Sequence, residues 1–530
     1  MLGTGTSLVS FCSLASLLQT ISAFVVPPLL PSPSFGLFAS TTSTSTAGIM
    51  ADTEGNGDVL EPQGEHHGWY SLKPLVEAGL WTATPGKYFD EMKKKNGGAA
   101  IYKAHPGLKC IALTDHASGK WFFNQPDTVL DRQDGAYFGP LKNSEEYVAK
   151  SLPALVTNLK EDHPGVRDYT IAVLRERLAA TQTSLTHASD NFYKNLWENG
   201  LGEYPTVYDT FLQLAYAFML EWILGTGEEG GQPLPPFKDF VTVNPVDISV
   251  LLELEIDTPV ANLAAKVGQA AAATVSSEAK ASVEVLLDSI RASRMWPTFT
   301  KMLGESGVNI QDLENSFMFN TGFQSSAASA KQMEYCVGSL TANPDFLEEL
   351  RKELDGKELT IKSVADNKAF PLLDSLHWEI LRLYPAPPFF FKTAKMDLVV
   401  PTSSGQKYQI RKGDMLYCHH PLVHIDEAVF GSDAGEFKPK RFVGNPALKD
   451  EVFAYAFPKP SEVERVDGMP WGCAAHAVGV LDGILKVLYG RWVQEAEWEM
   501  NDPPVIDPVE HLGVVGPSNM AFSKVMPRKG

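Results

Sequence analysis

Residues 372–385 read "LLDSLHWEILRLYP". Leu372, Leu376, Ile380 and Leu383 recur at helical spacing and form one apolar stripe. Pro385 stops that helix. Glu379 and Arg382 stand three residues apart, so their side chains are neighbours on one helix face. Taken alone, such a pair is usually a solvated surface bridge that contributes roughly a few tenths of a kcal/mol. Its meaning depends on what lies around it.

Downstream, "YQIRKGDMLYCH" (408–419) places two β-rich runs around Lys412-Gly413-Asp414, a hairpin signal. "FKPKRF" (437–442) then supplies Arg441, a third charge able to close a network with Glu379 and Arg382. Cys473 follows in "GMPWGCAAHAVG" (468–479). An inert core thiol is the default reading of a cysteine. Here Ala474, Ala477, Val478, Leu481, Leu485 and Leu488 keep helical spacing, which predicts a helix beginning near Ala474. A sulfur just before that helix faces its free N–H groups and positive end, which favour thiolate. Gly468 and Gly472 permit the tight backbone of such a loop.

Upstream, residues 309–340 form a long helix candidate with Leu313, Phe317 and Asn320 on one face, and Asn343-Pro344 lie beyond its end. "FLQLAYAFMLEWILG" (211–225) carries Glu221 in its middle and predicts a buried helix rather than a membrane span.

Glu-x-x-Arg on a helix, a hairpin, Phe-x-Pro-x-Arg-Phe and then a cysteine opening a helix, in that order, resembles the haem-thiolate cytochrome P-450 superfamily. The resemblance implies a mainly α fold with small β-sheets, a single large domain enclosing a haem. It makes Cys473 the axial iron ligand, haem b the cofactor, and Glu379, Arg382 and Arg441 a buried network supporting the haem loop without touching substrate. A thiolate on haem iron favours O–O cleavage.

The departures narrow the class. Val466, Met469, Trp471 and Ala475 stand where the superfamily carries Phe, Gly, a basic residue and Gly around its cysteine. Trp471 cannot pair with a haem propionate, so that role falls to Lys392, after "PAPPFFF", or to Arg167. "EDHPGVRDY" (161–169) resembles a degraded haem-contacting helix start, with His163 in the histidine role. Monooxygenases carry an acid followed by Thr on the long helix; here "FMFNTGFQSSA" has no acid. Phe319-Asn320-Thr321-Gly322 instead resembles the fatty-acid hydroperoxide branch, which contains allene oxide synthases, hydroperoxide lyases, divinyl ether synthases and epoxyalcohol synthases. Residues 412–444 and 449–471 are similar to that branch almost throughout.

A lipid hydroperoxide already contains its O–O bond, so the resemblance implies neither dioxygen nor a reductase partner. Homolysis gives an alkoxyl radical that closes on the neighbouring double bond, leaving an epoxide beside a carbon radical. Returning the hydroxyl gives an epoxyalcohol, loss of an electron and a proton gives an allene oxide, and C–C scission gives aldehydes. Asn320 is the expected catalytic residue, hydrogen-bonding the hydroperoxide; the bland reading of a buried amide is satisfaction by a backbone carbonyl. The distal region "DGAYFGPLKN" offers Tyr137, Phe138 or Lys142. The expected activity is an epoxyalcohol synthase-type isomerase of oxylipin biosynthesis. Allene oxide synthase or hydroperoxide lyase comes next, then a reductase-dependent monooxygenase and a non-enzymatic haem-binding relative.

Bulk properties agree with such an enzyme. The chain has 530 residues, and ~150 residues per domain would give about three, yet no Gly/Ser linker or charge block divides it after residue 60. A net charge of −19 without a Lys/Arg cluster argues against nucleic acid and anionic membrane surfaces as partners. Five scattered cysteines with no CxxC pair exclude a disulfide framework or zinc cluster as the expectation. Residues 1–50 hold no charged side chain. Residues 1–23 read as signal peptide-like and 24–50 as a Ser/Thr/Pro-rich transit-like segment, leaving 51–530 as the haem-thiolate catalytic domain. "ISAFVVPP" resembles the Ala-before-Phe junction of bipartite presequences of complex plastids. The expected location is therefore a plastid, or else the secretory pathway, with at most peripheral membrane contact.

Overall fold

The computed structural model describes residues 59–64, 85–104, 110–126, 128–131, 163–202, 206–227, 233–235, 237–238, 277–306, 325–385, 389–453, 478–501 and 520–528. Thirteen α-helices and ten strands lie among them. The helices are α1 Pro85–Lys95, α2 His116–Phe123, α3 His163–Glu176, α4 Thr181–Asn199, α5 Val207–Leu224, α6 Ser277–Arg291 and α7 Trp296–Ser306. They continue with α8 Ser326–Ala342, α9 Pro344–Leu354, α10 Pro371–Leu383, α11 His420–His424, α12 Glu427–Phe430 and α13 Leu481–Glu495. The mainly α architecture with small sheets matches the sequence expectation.

The large core is helical. Thr206 caps α5 by accepting from Asp209 N, and Gly225 ends it at φ +70; left-handed backbone at that place is what favours glycine. α5 is apolar around most of its surface and is buried as such a helix must be. Its Glu221 is also buried, and its Oε2 pairs with His187 Nδ1 at 2.7 Å. No helix among the described residues is long and apolar enough to cross a membrane. α8 ends at Ala342, with Pro344 opening α9. Residues 307–324 lie outside the described residues, so the upstream part of the long helix expected there is not described.

α10 runs over Pro371–Leu383, and Glu353 accepts from the amides of Leu372 and Leu373, two of its otherwise unsatisfied N–H groups. Leu376, Ile380 and Leu383 are fully buried against α13 residues such as Leu485 and Leu488. The sequence stripe is therefore a core face.

The strands form three sheets. The five-stranded sheet has the order β2 (Ile101–Ala104), β3 (Cys110–Leu113), β8 (Met415–His419), β5 (Phe389–Ala394), β4 (Leu130–Asp131). The three-stranded sheet has the order β1 (Val59–Leu60), β7 (Lys407–Ile410), β6 (Leu398–Pro401). β9 (Ala496–Met500) and β10 (Phe522–Pro527) form the third.

Two expectations are corrected. The runs flanking Lys412-Gly413-Asp414 are strands but not a hairpin. β7 pairs antiparallel with β6, whereas β8 pairs antiparallel with β5 and parallel with β3. Gly413, at φ +90, donates its amide to Ala394 O, and Arg411 N bonds Asp414 Oδ2. The turn thus hands the chain from one sheet to another instead of folding it back. The helix expected to run from Ala474 through Leu488 is also interrupted. Gly479 has φ +78, Val480 is the N-cap, and α13 begins at Leu481. Left-handed backbone breaks helical spacing at that point, while residues 454–477 lie outside the described residues.

Candidate functional site

α10 presents its charged pair to the interior. Glu379 and Arg382 are both fully buried. Arg382 Nε donates to Glu379 Oε2 at 2.8 Å, and Nη2 donates to Oε1 at 2.8 Å, a bidentate fork. Nη1 donates to His424 O at 2.7 Å and Ala434 O at 2.6 Å, and Nη2 also reaches Glu436 O at 3.2 Å. Arg441 joins from the next segment, its Nε 3.3 Å from Glu379 Oε1. Its other nitrogens donate to Phe430 O, Asp433 Oδ1, Asp433 O and Glu436 O. Glu379 Oε1 further accepts from Lys438 N at 2.7 Å. Glu379, Arg382 and Arg441 therefore meet in one network that grips residues 424–441.

His424, which the sequence did not flag, belongs to the same structure. Its Nδ1 donates to Arg382 O at 2.8 Å, and its Nε2 accepts from Phe453 N at 2.9 Å. Burial holds its pKa well below the ordinary 6.5, so the ring is neutral, as an accepting Nε2 requires. A lone histidine in "PLVHIDEA" gives no sequence signal for this role.

The described thiols bear on the identity of an iron ligand. Cys110 lies in β3, Cys336 in α8 and Cys418 in β8; each is buried, and burial pushes each thiol pKa upward. None of the three stands at the start of a helix, where free N–H groups favour a thiolate; Cys12 and Cys473 are the other two of the chain's five. No cluster of three or more His, Cys, Asp or Glu side chains among the described residues forms a metal site.

Lys392 sits on β5 with 3% exposure. Its ammonium donates to Phe122 O at 2.9 Å and Gln125 O at 3.5 Å and lies 4.7 Å from the Phe122 ring centroid. It thereby ties the end of α2 to the five-stranded sheet. His163 is the first residue of α3, and Arg167 lies on its second turn; nothing of their side chains is described. Asn320, Cys473, Tyr137, Phe138 and Lys142 lie outside the described residues.

Comparison with known proteins places the chain among enzymes. Residues 262–457 match the family model for cytochrome P-450. The chain is 75% identical over 474 residues to an epoxyalcohol synthase of Ectocarpus siliculosus, covering 89% of this chain and 99% of the relative. It is 56% identical over 479 residues to a hydroperoxide bicyclase of the same organism, named as mitochondrial, covering 90% and 93%. A mitochondrial hydroperoxide bicyclase of Plasmodiophora brassicae is 30% identical over 467 residues, covering 86% and 81%. The two mitochondrial names overturn the plastid expectation. An Ala-Phe junction and a Ser/Thr run are short compositional marks that an uncharged stretch can meet without carrying a plastid address.

Proposed function

The chain belongs to the cytochrome P-450 family, a haem-thiolate family, and from that premise we propose that it is an epoxyalcohol synthase-type isomerase of polyunsaturated fatty-acid hydroperoxides. The observation that carries this reading is 75% identity across nearly the whole of an epoxyalcohol synthase. The bicyclases, which are also named for hydroperoxides, support the same substrate class. The cofactor is haem b, held by Cys473. When bound, thiolate-ligated haem supplies homolysis of the substrate's O–O bond.

The chain's own residues supply placement. Cys473 fits the ligand role because none of the three described cysteines opens a helix, and Cys12 lies in the uncharged stretch 1–50. The Glu379–Arg382–Arg441 network fixes residues 424–441, upstream of the cysteine segment, through five carbonyl oxygens and the Lys438 amide. Arg167 and Lys392 are proposed for the propionates, and His163 for the helix start that contacts haem. Lys392 would serve while its described hydrogen bonds hold α2. Asn320 orients the hydroperoxide with its amide and steers the hydroxyl back to the carbon radical. No electron enters or leaves overall, so no reductase is needed.

The test is turnover of a doubly labelled hydroperoxide without NADPH, reductase or added oxygen. Retention of both oxygen labels, one as epoxide and one as hydroxyl, is expected. One label lost as water would point to an allene oxide synthase, and a strict need for NADPH would reject the hydroperoxide reading.

A further inference from the structure

One buried carboxylate joins two distant parts of the chain. Asp374, on the first turn of α10, has 6% side-chain exposure. Its Oδ1 accepts from Lys486 Nζ at 2.6 Å, and its Oδ2 accepts from Lys449 Nζ. Lys449 lies in the 3₁₀ turn Pro446–Glu451, just before residues 454–477. Lys486 lies on α13, just after them. The side chains of both lysines are nearly as buried, at 12% and 6%. The Lys486 ammonium also donates to Asn367 Oδ1 at 3.4 Å, and that of Lys449 lies 5.8 Å from the Trp378 ring centroid.

We infer that Asp374 is a positioning residue for the axial thiolate, clamping together the two ends of the segment that carries Cys473. The inference rests on the proposed ligation by Cys473. Its physical basis is the charge arrangement. Two ammonium groups on opposite oxygens of one carboxylate are each attracted to it, in a place where water screens little. Without the carboxylate, the same two cations repel one another across a buried site, and the ends they belong to are driven apart. The 36 residues between Lys449 and Lys486 would then lose the charged part of their hold on α10, leaving only the apolar packing of Leu485 and Leu488 at one end, while the Glu379–Arg382–Arg441 network stayed whole. The sulfur would lose its fixed place even in a folded molecule.

Asp374→Asn keeps the shape and removes the charge. The holoenzyme is titrated with urea while two signals are followed: the long-wavelength ferrous-CO band of the thiolate-ligated form, and helical circular dichroism. In the native chain the two are expected to disappear together. In Asp374→Asn the band should disappear first, with the equilibrium constant for its loss raised at least ~tenfold, which corresponds to ~1.4 kcal/mol. Lys449→Met and Lys486→Met, each cutting one arm, should show the same early loss. Either serves in place of Asp374→Asn if that variant does not fold. Thr206→Ala, which removes the cap of α5 and belongs to neither arm of the clamp, should move both signals together. Coincident loss in the clamp variants would overturn the inference. Cys473→Ser reads the underlying assignment separately, because an unchanged band there rejects the ligand and not merely the clamp.

Discussion

Arg382→Leu tests whether the charges of α10 are structural. The guanidinium has five N–H donors, and the structure gives them five acceptors: two oxygens of Glu379 and the carbonyls of His424, Ala434 and Glu436. Leucine removes all five bonds at a site with no exposure. Glu379 keeps Lys438 N and Arg441, and Glu436 O keeps Arg441 Nη2. His424 O and Ala434 O lose the arginine donor. Breaking one partner of a buried ionic pair costs ~3–5 kcal/mol, and each stranded buried polar group costs ~1–3 kcal/mol. Even the low ends together reach ~5 kcal/mol, which is comparable with the whole stability of an ordinary domain at ~5–15 kcal/mol.

The expected result is a fall of at least ~tenfold in soluble haem-loaded protein, since a factor of ten needs only ~1.4 kcal/mol. Arg382→Lys should fall between the two, because lysine keeps the charge but offers three donors and no planar fork. Yield, haem content and urea midpoint measure the outcome. Normal values for Arg382→Leu would refute the reasoning and return the pair to surface charge.

Cys473→Ser should shift the ferrous-CO band away from its long-wavelength position; an unchanged band removes Cys473 as ligand. Asn320→Ala should slow hydroperoxide turnover about tenfold with haem content intact, the loss of one directing hydrogen bond worth ~0.5–1.5 kcal/mol; an unaltered rate would leave Asn320 a structural amide. His419 gives a pH dependence. Burial lowers its folded pKa from 6.5 to about 3, so the unfolded chain binds this proton first as pH falls. Its contribution is complete above about pH 6.5 and is lost towards about pH 3, at up to ~1.4 kcal/mol per unit. Urea unfolding at pH 7 and pH 4 should therefore show the gap between wild type and His419→Gln shrinking as pH falls, and a constant gap would count against it.

What the sequence disclosed depended on how far apart the partners lay. Glu379 and Arg382 are one helical turn apart, and Arg441 sits in a recognisable motif, so their meeting was legible. Asp374, Lys449 and Lys486 are separated by 75 and 112 residues from carboxylate to ammonium, and no local pattern links them. The hairpin misreading has a related cause. Strand propensity and turn chemistry around Gly413 are local, but pairing is chosen by partners elsewhere: Leu398–Pro401 for one run and Phe389–Ala394 for the other. Likewise Ala474 to Leu488 keeps helical spacing on paper, yet nothing in the spacing reports the left-handed backbone of Gly479.

Charged residues on a helix are normally its solvated face, and the reason this helix inverts that rule lies in the segment it faces. Residues 424–453 contain only short helical turns, so their amides and carbonyls lack a long ladder of their own. Buried backbone groups must still be paired. Asp374, Ser375, Glu379 and Arg382 fall within a sector of about 140° at ~100° per residue, opposite Leu376, Ile380 and Leu383. From that sector Ser375 Oγ accepts Phe442 N, Glu379 accepts Lys438 N, and Arg382 donates to three carbonyls. Arg441 completes the set from within the segment by donating to the carbonyls of Phe430, Asp433 and Glu436. An apolar face of equal volume would bury as much surface and leave those groups unsatisfied. The ion pairs therefore earn their desolvation cost through the backbone they organise, and the same irregular backbone leads directly to the segment that carries Cys473.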